Sequence, residues 1–381
     1  MEDRRAPIQD VNIEAGDNLS RALYRASTQT HENRPGLLVE FEQTFSGARA
    51  IPLSWVSDPD NILMNLGLDG VGTKVEVSER QGDHSSVAFD LFAMVCDDAV
   101  VRGAEPVAIG SILDVRQLSD DSYTKIAVQQ LAQGYVAAAR KAGVVVVNGE
   151  VAELGDRVGG HGSFNYNWGA TVLWLTHRER ILTGKQMKPG DSLVGLVEPG
   201  FRSNGITDVR KAMLQKYGQD WHNVFDNRIA NGERSLGQLV QTPSTIYTRF
   251  VTELTGGFDI EKTPKAKVTG VAHITGGGMP GKLHRMMEPS GGLGVVINEP
   301  ITPPDLMLEV QRIRELEDYE AYGKWHMGPG MVIATPEPDE VLSLAEEWGV
   351  EAKRIGNVTD QDSKISIKNK GAKGGEHWLR F

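Results

Sequence analysis

At 381 residues the chain is too long for one typical core, and its length predicts two domains with a small third element. Its 40 basic and 51 acidic side chains give a net charge of −11, which argues against nucleic acid and anionic membrane surfaces as partners. An anionic ligand would need basic groups gathered locally.

In chain order, the polar start Met1-Glu2-Asp3-Arg4-Arg5 lacks the apolar core of a signal peptide, and no apolar stretch approaches the ~20 residues of a membrane span, so a cytoplasmic protein is expected. Asp17 and Asn18 are plausible caps for an amphipathic helix carrying Leu19, Leu23 and Tyr24. Arg34-Pro35-Gly36 opens a turn, a short strand and a loop to Gly47. The apolar run Ile62 to Leu68 predicts a strand that ends in Asp69-Gly70-Val71-Gly72-Thr73-Lys74. Two glycines let a backbone approach a ligand, a lysine offers charge to phosphate oxygens, and a strand-end aspartate can hold a divalent cation. The same six residues also suit a tight turn with one surface lysine.

A helix from about Ser86 to Arg102, ended by Gly103, places Asp98 on one face with Leu91, Met94, Val95 and Val101. A carboxylate there calls for a cation, a metal or a lysine, and Asp97 doubles the charge; a solvated helix end is the alternative. The single cysteine, Cys96, excludes an internal disulfide and a cysteine zinc cage, and its apolar neighbours predict a buried thiol. A strand over 106–115 and a helix capped by Asp120 and Asp121 and ended by Gly143 lead to the buried strand Val144 to Val147. That strand runs into a polar turn, Asn148-Gly149-Glu150, where Glu150 is either an acidic site residue or a capping or surface glutamate. His161 lies alone in a glycine-rich loop, and a strand over 169–176 closes the first half.

Beyond a boundary near residue 178, the strand Leu193 to Val197 leads to Arg202-Ser203-Asn204-Gly205 and a helix; Arg202 could hold a phosphate or simply face solvent. A helix over 243–254 follows, ended by Gly256-Gly257. His273-Ile274-Thr275-Gly276-Gly277-Gly278 precedes a helix over 280–287, and its three glycines present backbone N–H groups that favour an anion. His273 is there a proton donor, a ligand contact or a packed histidine. Alternating strands and helices fill the remainder to residue 360, and 361–381 reads as a loosely packed tail.

Taken together these motifs resemble the aminoimidazole ribonucleotide synthetase (phosphoribosylformylglycinamidine cyclo-ligase) family of purine biosynthesis. The resemblance is carried by DGVGTK at 69–74, His84, LFAMVCDDAVVRGAEP at 91–106, VVNGEVAELG at 146–155, SNG at 203–205, PSTIY at 243–247, AHITGGG at 272–278 and GPGMVIA at 328–334. It implies an α/β (α+β) fold of two domains: 1–178 for ATP binding and dimerisation, pairing with its twin into a β-barrel, and 179–360 as an α/β sandwich. The wider superfamily includes formylglycinamidine ribonucleotide synthetase, selenophosphate synthetase, thiamine-phosphate kinase and a hydrogenase-maturation dehydratase.

The resemblance further implies a homodimer that uses ATP and Mg²⁺ on a phosphoribosyl substrate. Mg²⁺ would be held by Asp69, Asp98 and Glu150, with Asp97 nearby, and the nucleotide by Asp69, Gly70, Gly72, Thr73, Lys74, Asp97, Asp98, Gly149 and Glu150. Lys74, Asp98 and His273 would be catalytic; Arg202, Ser203, Asn204, Thr275, Gly276, Gly277 and Gly278 would meet the substrate. The chain departs from the family pattern at Arg202, where a histidine is usual, at Asp97, where an asparagine is usual, at Asn148-Gly149-Glu150-Val151, and in the bulky, acidic stretch Leu37 to Glu42 where glycines are expected. These departures leave open a paralogous ATP-dependent enzyme acting on another amide or acid oxygen, or a non-catalytic nucleotide-binding dimer.

Overall fold

The computed structural model describes residues 12–42, 44–228, 233–361, 363–375 and 377–381; the reading of Met1 to Arg5 lies outside them. The described helices are α1 (Ile13–Gln29), α2 (Val75–Gln81), α3 (Val87–Val100), α4 (Ser122–Ala142), α5 (Ile206–Tyr217), α6 (Leu236–Val240), α7 (Thr248–Thr255), α8 (Gly278–Met287), α9 (Asp305–Ile313), α10 (Asp318–Lys324) and α11 (Pro338–Glu347). The strands are β1 (Val39–Glu40), β2 (Arg49–Ala50), β3 (Ile62–Gly70), β4 (Glu105–Val115), β5 (Val145–Glu153), β6 (Tyr166–His177), β7 (Ser192–Val197), β8 (Gly270–His273), β9 (Gly294–Ile297), β10 (Pro329–Thr335), β11 (Ala352–Thr359), β12 (Ile365–Lys368) and β13 (Trp378–Arg380). Among these residues no helix is long and apolar enough to cross a membrane.

The first half is a four-stranded sheet of order β3-β6-β4-β5, antiparallel except where β4 meets β5. α3 and α4 pack on one face, where Leu91, Phe92, Leu131, Tyr135, Trp168 and Val172 form a closed core. α4 keeps its predicted limits: the Asp121 carboxylate accepts from Thr124 N at 2.8 Å, and Gly143, at φ +71°, ends the helix left-handed. The opposite face is bare. Alternation on β3 turns Met64, Leu66 and Leu68 outward, and Leu68 is 75% exposed, with Ile112 of β4 beside them. Leu68 and Ile112 of that stripe line a cavity of about 640 Å³ together with Asp69, Gly149 and Glu150.

The second half is a seven-stranded sheet of order β13-β12-β9-β11-β7-β10-β8, antiparallel except for β12 against β9. Here the structure corrects four expectations. α1 is capped by Asn12, whose side chain accepts from Ala15 N, not by Asp17 or Asn18. Asn148-Gly149-Glu150 is no turn: β5 runs straight through it, with one irregularity opposite Ile109 and Gly110. The tail expected after 361 instead supplies β12 and β13, with Ile365 and Ile367 buried in the core.

The fourth concerns 243–247, which stay outside the helix because backbone N–H groups there are drawn to buried carboxylates. Ser244 N donates to Asp90 (3.2 Å), Thr245 N to Glu198 (3.1 Å) and Tyr247 N to Asp97 (3.0 Å), so α7 starts only at Thr248.

Candidate functional site

Three predicted loops converge between the two sheets. Gly72, at φ +66°, turns the chain from β3 into α2, and Thr73 reaches Thr207 at the start of α5, their hydroxyls 3.4 Å apart. Gly205, at φ +99°, caps α5, and the Asn204 amide lies so close to Gly276 that a Cβ there would stand 3.3 Å from its Nδ2. Gly277 and Gly278 are both left-handed at the start of α8, and a Cβ on Gly278 would strike the Tyr322 carbonyl. Thr275 is buried beside them and its carbonyl accepts from Gly278 N at 3.1 Å. Buried Ser203 Oγ and Asn204 Oδ1 find no protein partner. Polar atoms left so are rare in folded proteins and mark a place built for something else.

Asp98 stands at the mouth of this convergence. Its Oδ1 lies 2.6 Å from His273 Nδ1, and His273 Nε2 lies 2.8 Å from the Arg202 guanidinium. An arginine can only donate, so Nε2 must accept and the ring proton sits on Nδ1, donating to Asp98. Burial, reinforced by Arg202, pushes His273 down to about 4. Burial opposes ionisation of Asp98, but the His273 hydrogen bond prevails and holds it below its ordinary value. Asp69 is raised by burial, against a hydrogen bond from Gly70 N, and raised further by the negative charge of Asp98. His273 is thus a neutral support that aims Asp98, and the proton-donor reading is corrected.

Three further readings are corrected. Asp98 is 52% exposed at its side chain, while Asp97 is the fully buried carboxylate. Arg202 is buried too: it bonds Asp97 at 3.1 Å, Glu198 at 2.5 Å and the Thr245 carbonyl at 3.2 Å, so it does not face a substrate. Two of the positions that depart from the family pattern, Arg202 and Asp97, are each other's partners. Lys74 is equally committed, its ammonium donating to Asp90 (2.7 Å) and to the carbonyls of Phe201 (2.9 Å) and Thr242 (2.6 Å). With three donors and three buried partners, it has nothing left for a phosphate.

Glu150 does not join Asp69 and Asp98. β3 and β5 are the two edges of a four-stranded sheet, three strand spacings or roughly 14 Å apart, whereas a shared cation needs oxygens at about 2.0–2.6 Å. Among the described residues no group of three acidic, histidine or cysteine side chains could hold a metal ion, so the expected triad reduces to the pair Asp69 and Asp98. The sequence reading also passed over Lys282 of α8, a half-buried lysine that feels the charges of both Asp98 and Asp69. Its only sequence signal is its place four residues after Gly278.

His84 and His326 are also buried and pushed down to about 4 by burial. Below pH 6.5 the unfolded chain takes up protons that the folded histidines refuse until about 4. Their stabilisation is therefore complete above pH 6.5 and lost as pH falls, by up to about 3 kcal/mol each. Glu79 and Asp97 have the opposite sign: both raised to about 7 by burial, their contributions grow as pH falls and offset those of the two histidines. Between pH 7 and pH 5 the Tm of His84→Gln is expected to fall less, or rise more, than that of the wild type; an equal slope in that variant would contradict the assignment.

Comparison with known proteins gives two family models: "AIR synthase related protein, N-terminal domain" matches residues 54–171 and its C-terminal counterpart matches 188–368. A phosphoribosylformylglycinamidine cyclo-ligase of Thermococcus gammatolerans is 31% identical over 83% of this chain and 85% of its own. That of Thermococcus kodakarensis is 32% identical over 95% and 97%. Among solved structures, thiamine-monophosphate kinase from Stenotrophomonas maltophilia superposes with a TM-score of 0.59 at 15% identity, covering 92% of this chain and 97% of that one. The hydrogenase maturation protein HypE in complex with ATP gives 0.57 at 13%, covering 93% of each chain. Such identities speak for the fold alone.

Proposed function

The chain belongs to the AIR synthase family, and on that premise we propose that this enzyme is an ATP-dependent cyclo-ligase that converts formylglycinamidine ribonucleotide to aminoimidazole ribonucleotide in the cytoplasm, releasing ADP and phosphate. The observation that carries the reading is the Asp98–His273–Arg202 chain set beside the unpartnered Ser203 Oγ and Asn204 Oδ1. These residues fit a magnesium nucleotide. Two carboxylates of opposed titration suit one cation that shares its remaining ligands with phosphate oxygens, and the glycine loop at α8 admits an anion without a side chain in the way.

Mg²⁺, held by Asp69 and Asp98, would supply charge neutralisation on the polyphosphate. The chain's own residues do the rest. His273 fixes the rotamer of Asp98, while Ser203, Asn204 and the N–H groups of Gly276 and Gly277 bind and orient the phosphoribosyl substrate, and the Gly278 N–H, bonded to the Thr275 carbonyl, holds the loop in shape. The substrate's formyl oxygen attacks the terminal phosphorus, and the bond to ADP breaks. The amidine nitrogen then attacks the activated carbon, the C–O bond breaks, phosphate leaves, and nitrogen loses its proton to solvent.

The bare stripe of Met64, Leu66, Leu68 and Ile112 supports a homodimer in which the N-terminal sheets, through about residue 178, face each other as a barrel. Leu66→Asp is expected to turn the dimer into a monomer in light scattering; an unchanged mass would exclude this face. Glu40 is tied to Arg49 at 3.0 Å within the β1–β2 hairpin, so one of the two acidic groups of that departure is neutralised within the protein. The altered stretch at 148–151, within the sheet cavity, still favours one second reading: a paralogous enzyme that phosphorylates another amide or acid. Rescue of a purine auxotroph lacking the cyclo-ligase, with phosphate release from the amidine substrate, decides between them. No rescue, with no phosphate released when the amidine substrate is supplied with MgATP, would favour the paralogue.

A further inference from the structure

With Lys74 and Arg202 consumed inside the protein, the proposed nucleotide site would have carboxylates and no cation, a poor host for a triphosphate. Lys282 changes that balance. It lies on α8, four residues after the glycine loop, half-buried, and among the described residues it forms no hydrogen bond or ion pair. Asp98 and Asp69 both attract its ammonium, Arg285 repels it, and burial disfavours its charge. A four-carbon stem could carry that ammonium into water. Holding it half-buried beside two carboxylates, without pairing to either, leaves one face free for a further negative group.

We propose that Lys282 contacts the polyphosphate of the bound nucleotide, opposite the cation held by Asp69 and Asp98. This rests on the ATP-dependent reading above and supplies the basic group that Lys74 cannot. Lys282 follows the glycine loop on α8 and feels the charge of both carboxylates, so the assignment is to the β- and γ-phosphates, which their cation would neutralise, and not to the α-phosphate or the phosphate of the substrate. The alternative, a lysine that only balances the two aspartates, predicts a different response to one ligand, AMP. Removing a balancing charge tightens Mg²⁺ and weakens the anions MgATP and AMP alike; removing a phosphate contact tightens Mg²⁺ but weakens MgATP and spares AMP.

The test measures binding of Mg²⁺ alone, MgATP, AMP and ribose 5-phosphate to the full-length wild type, Lys282→Gln and Lys282→Arg, with Tm recorded for each. The glutamine variant is expected to bind MgATP about tenfold more weakly or worse, as for the loss of one charge-assisted phosphate contact, with AMP and ribose 5-phosphate unchanged and Mg²⁺ tighter. The arginine variant should retain most of the MgATP affinity. If the glutamine variant binds MgATP as well as or better than wild type, weakens AMP equally, or weakens only ribose 5-phosphate, the assignment fails and the ligase reading stands. A wild type that binds no MgATP overturns the ligase reading itself, and this assignment with it.

Discussion

Arg202→Met is expected to destabilise the protein by about 3–5 kcal/mol, because it strands Asp97 and Glu198 as buried carboxylates without their cation. Those two side chains cannot retreat to water: both are completely enclosed, and backbone N–H groups of Tyr247 and Thr245 hold them in place. Gly330 packs so tightly against the cluster that a Cβ would lie 2.7 Å from both Glu198 Oε2 and Tyr247 Oη. Chemical denaturation of the variant gives the magnitude, and an unchanged midpoint would refute the account. Arg202→His alone should recover little, while Asp97→Asn with Arg202→His, the pair usual in the resembled family, should recover the part owed to Asp97, Glu198 still lacking its cation. Strict additivity of the two single effects would show that the residues are not coupled.

Asp98→Asn is expected to lower kcat/KM at least ~10²-fold while leaving Tm nearly unchanged. The amide oxygen can still accept from His273 Nδ1–H, so the support survives while the carboxylate charge that would hold a cation is gone. Rate against Mg²⁺ concentration is the discriminating measurement. A variant with wild-type turnover and wild-type Mg²⁺ dependence would remove Asp98 from the metal site.

Much of the architecture was legible where a signal is local. Asp121 and Gly143 bracket α4 as caps, and the apolar run from residue 62 to residue 68 marks β3. The exchange of roles between Asp97 and Asp98 was not legible, because α3 is buried nearly all round, between its own sheet and the second half of the chain. An apolar stripe identifies a buried face only when the other face is wet, and here position 98 is the single exposed one. Lys74 was misread for another reason. Its carbonyl partners lie 127 and 168 residues away, so nothing near DGVGTK reveals that the lysine is already bound. The start of α7 was misplaced because carboxylates distant in sequence capture the N–H groups of 244–247.

That commitment of Lys74 also bears on how the site can move. One ammonium grips Asp90 of α3 together with carbonyls of residues 201 and 242 beyond the second sheet's first strand, and Asp97 and Arg202 stitch the same two halves a short distance away. Swinging the halves apart on a hinge would expose two buried ion pairs at once, a step far costlier than rearranging a loop. Ligand exchange is therefore left to the glycine segments at 72, 205 and 276–278, whose backbones can change shape while the framework behind them stays locked.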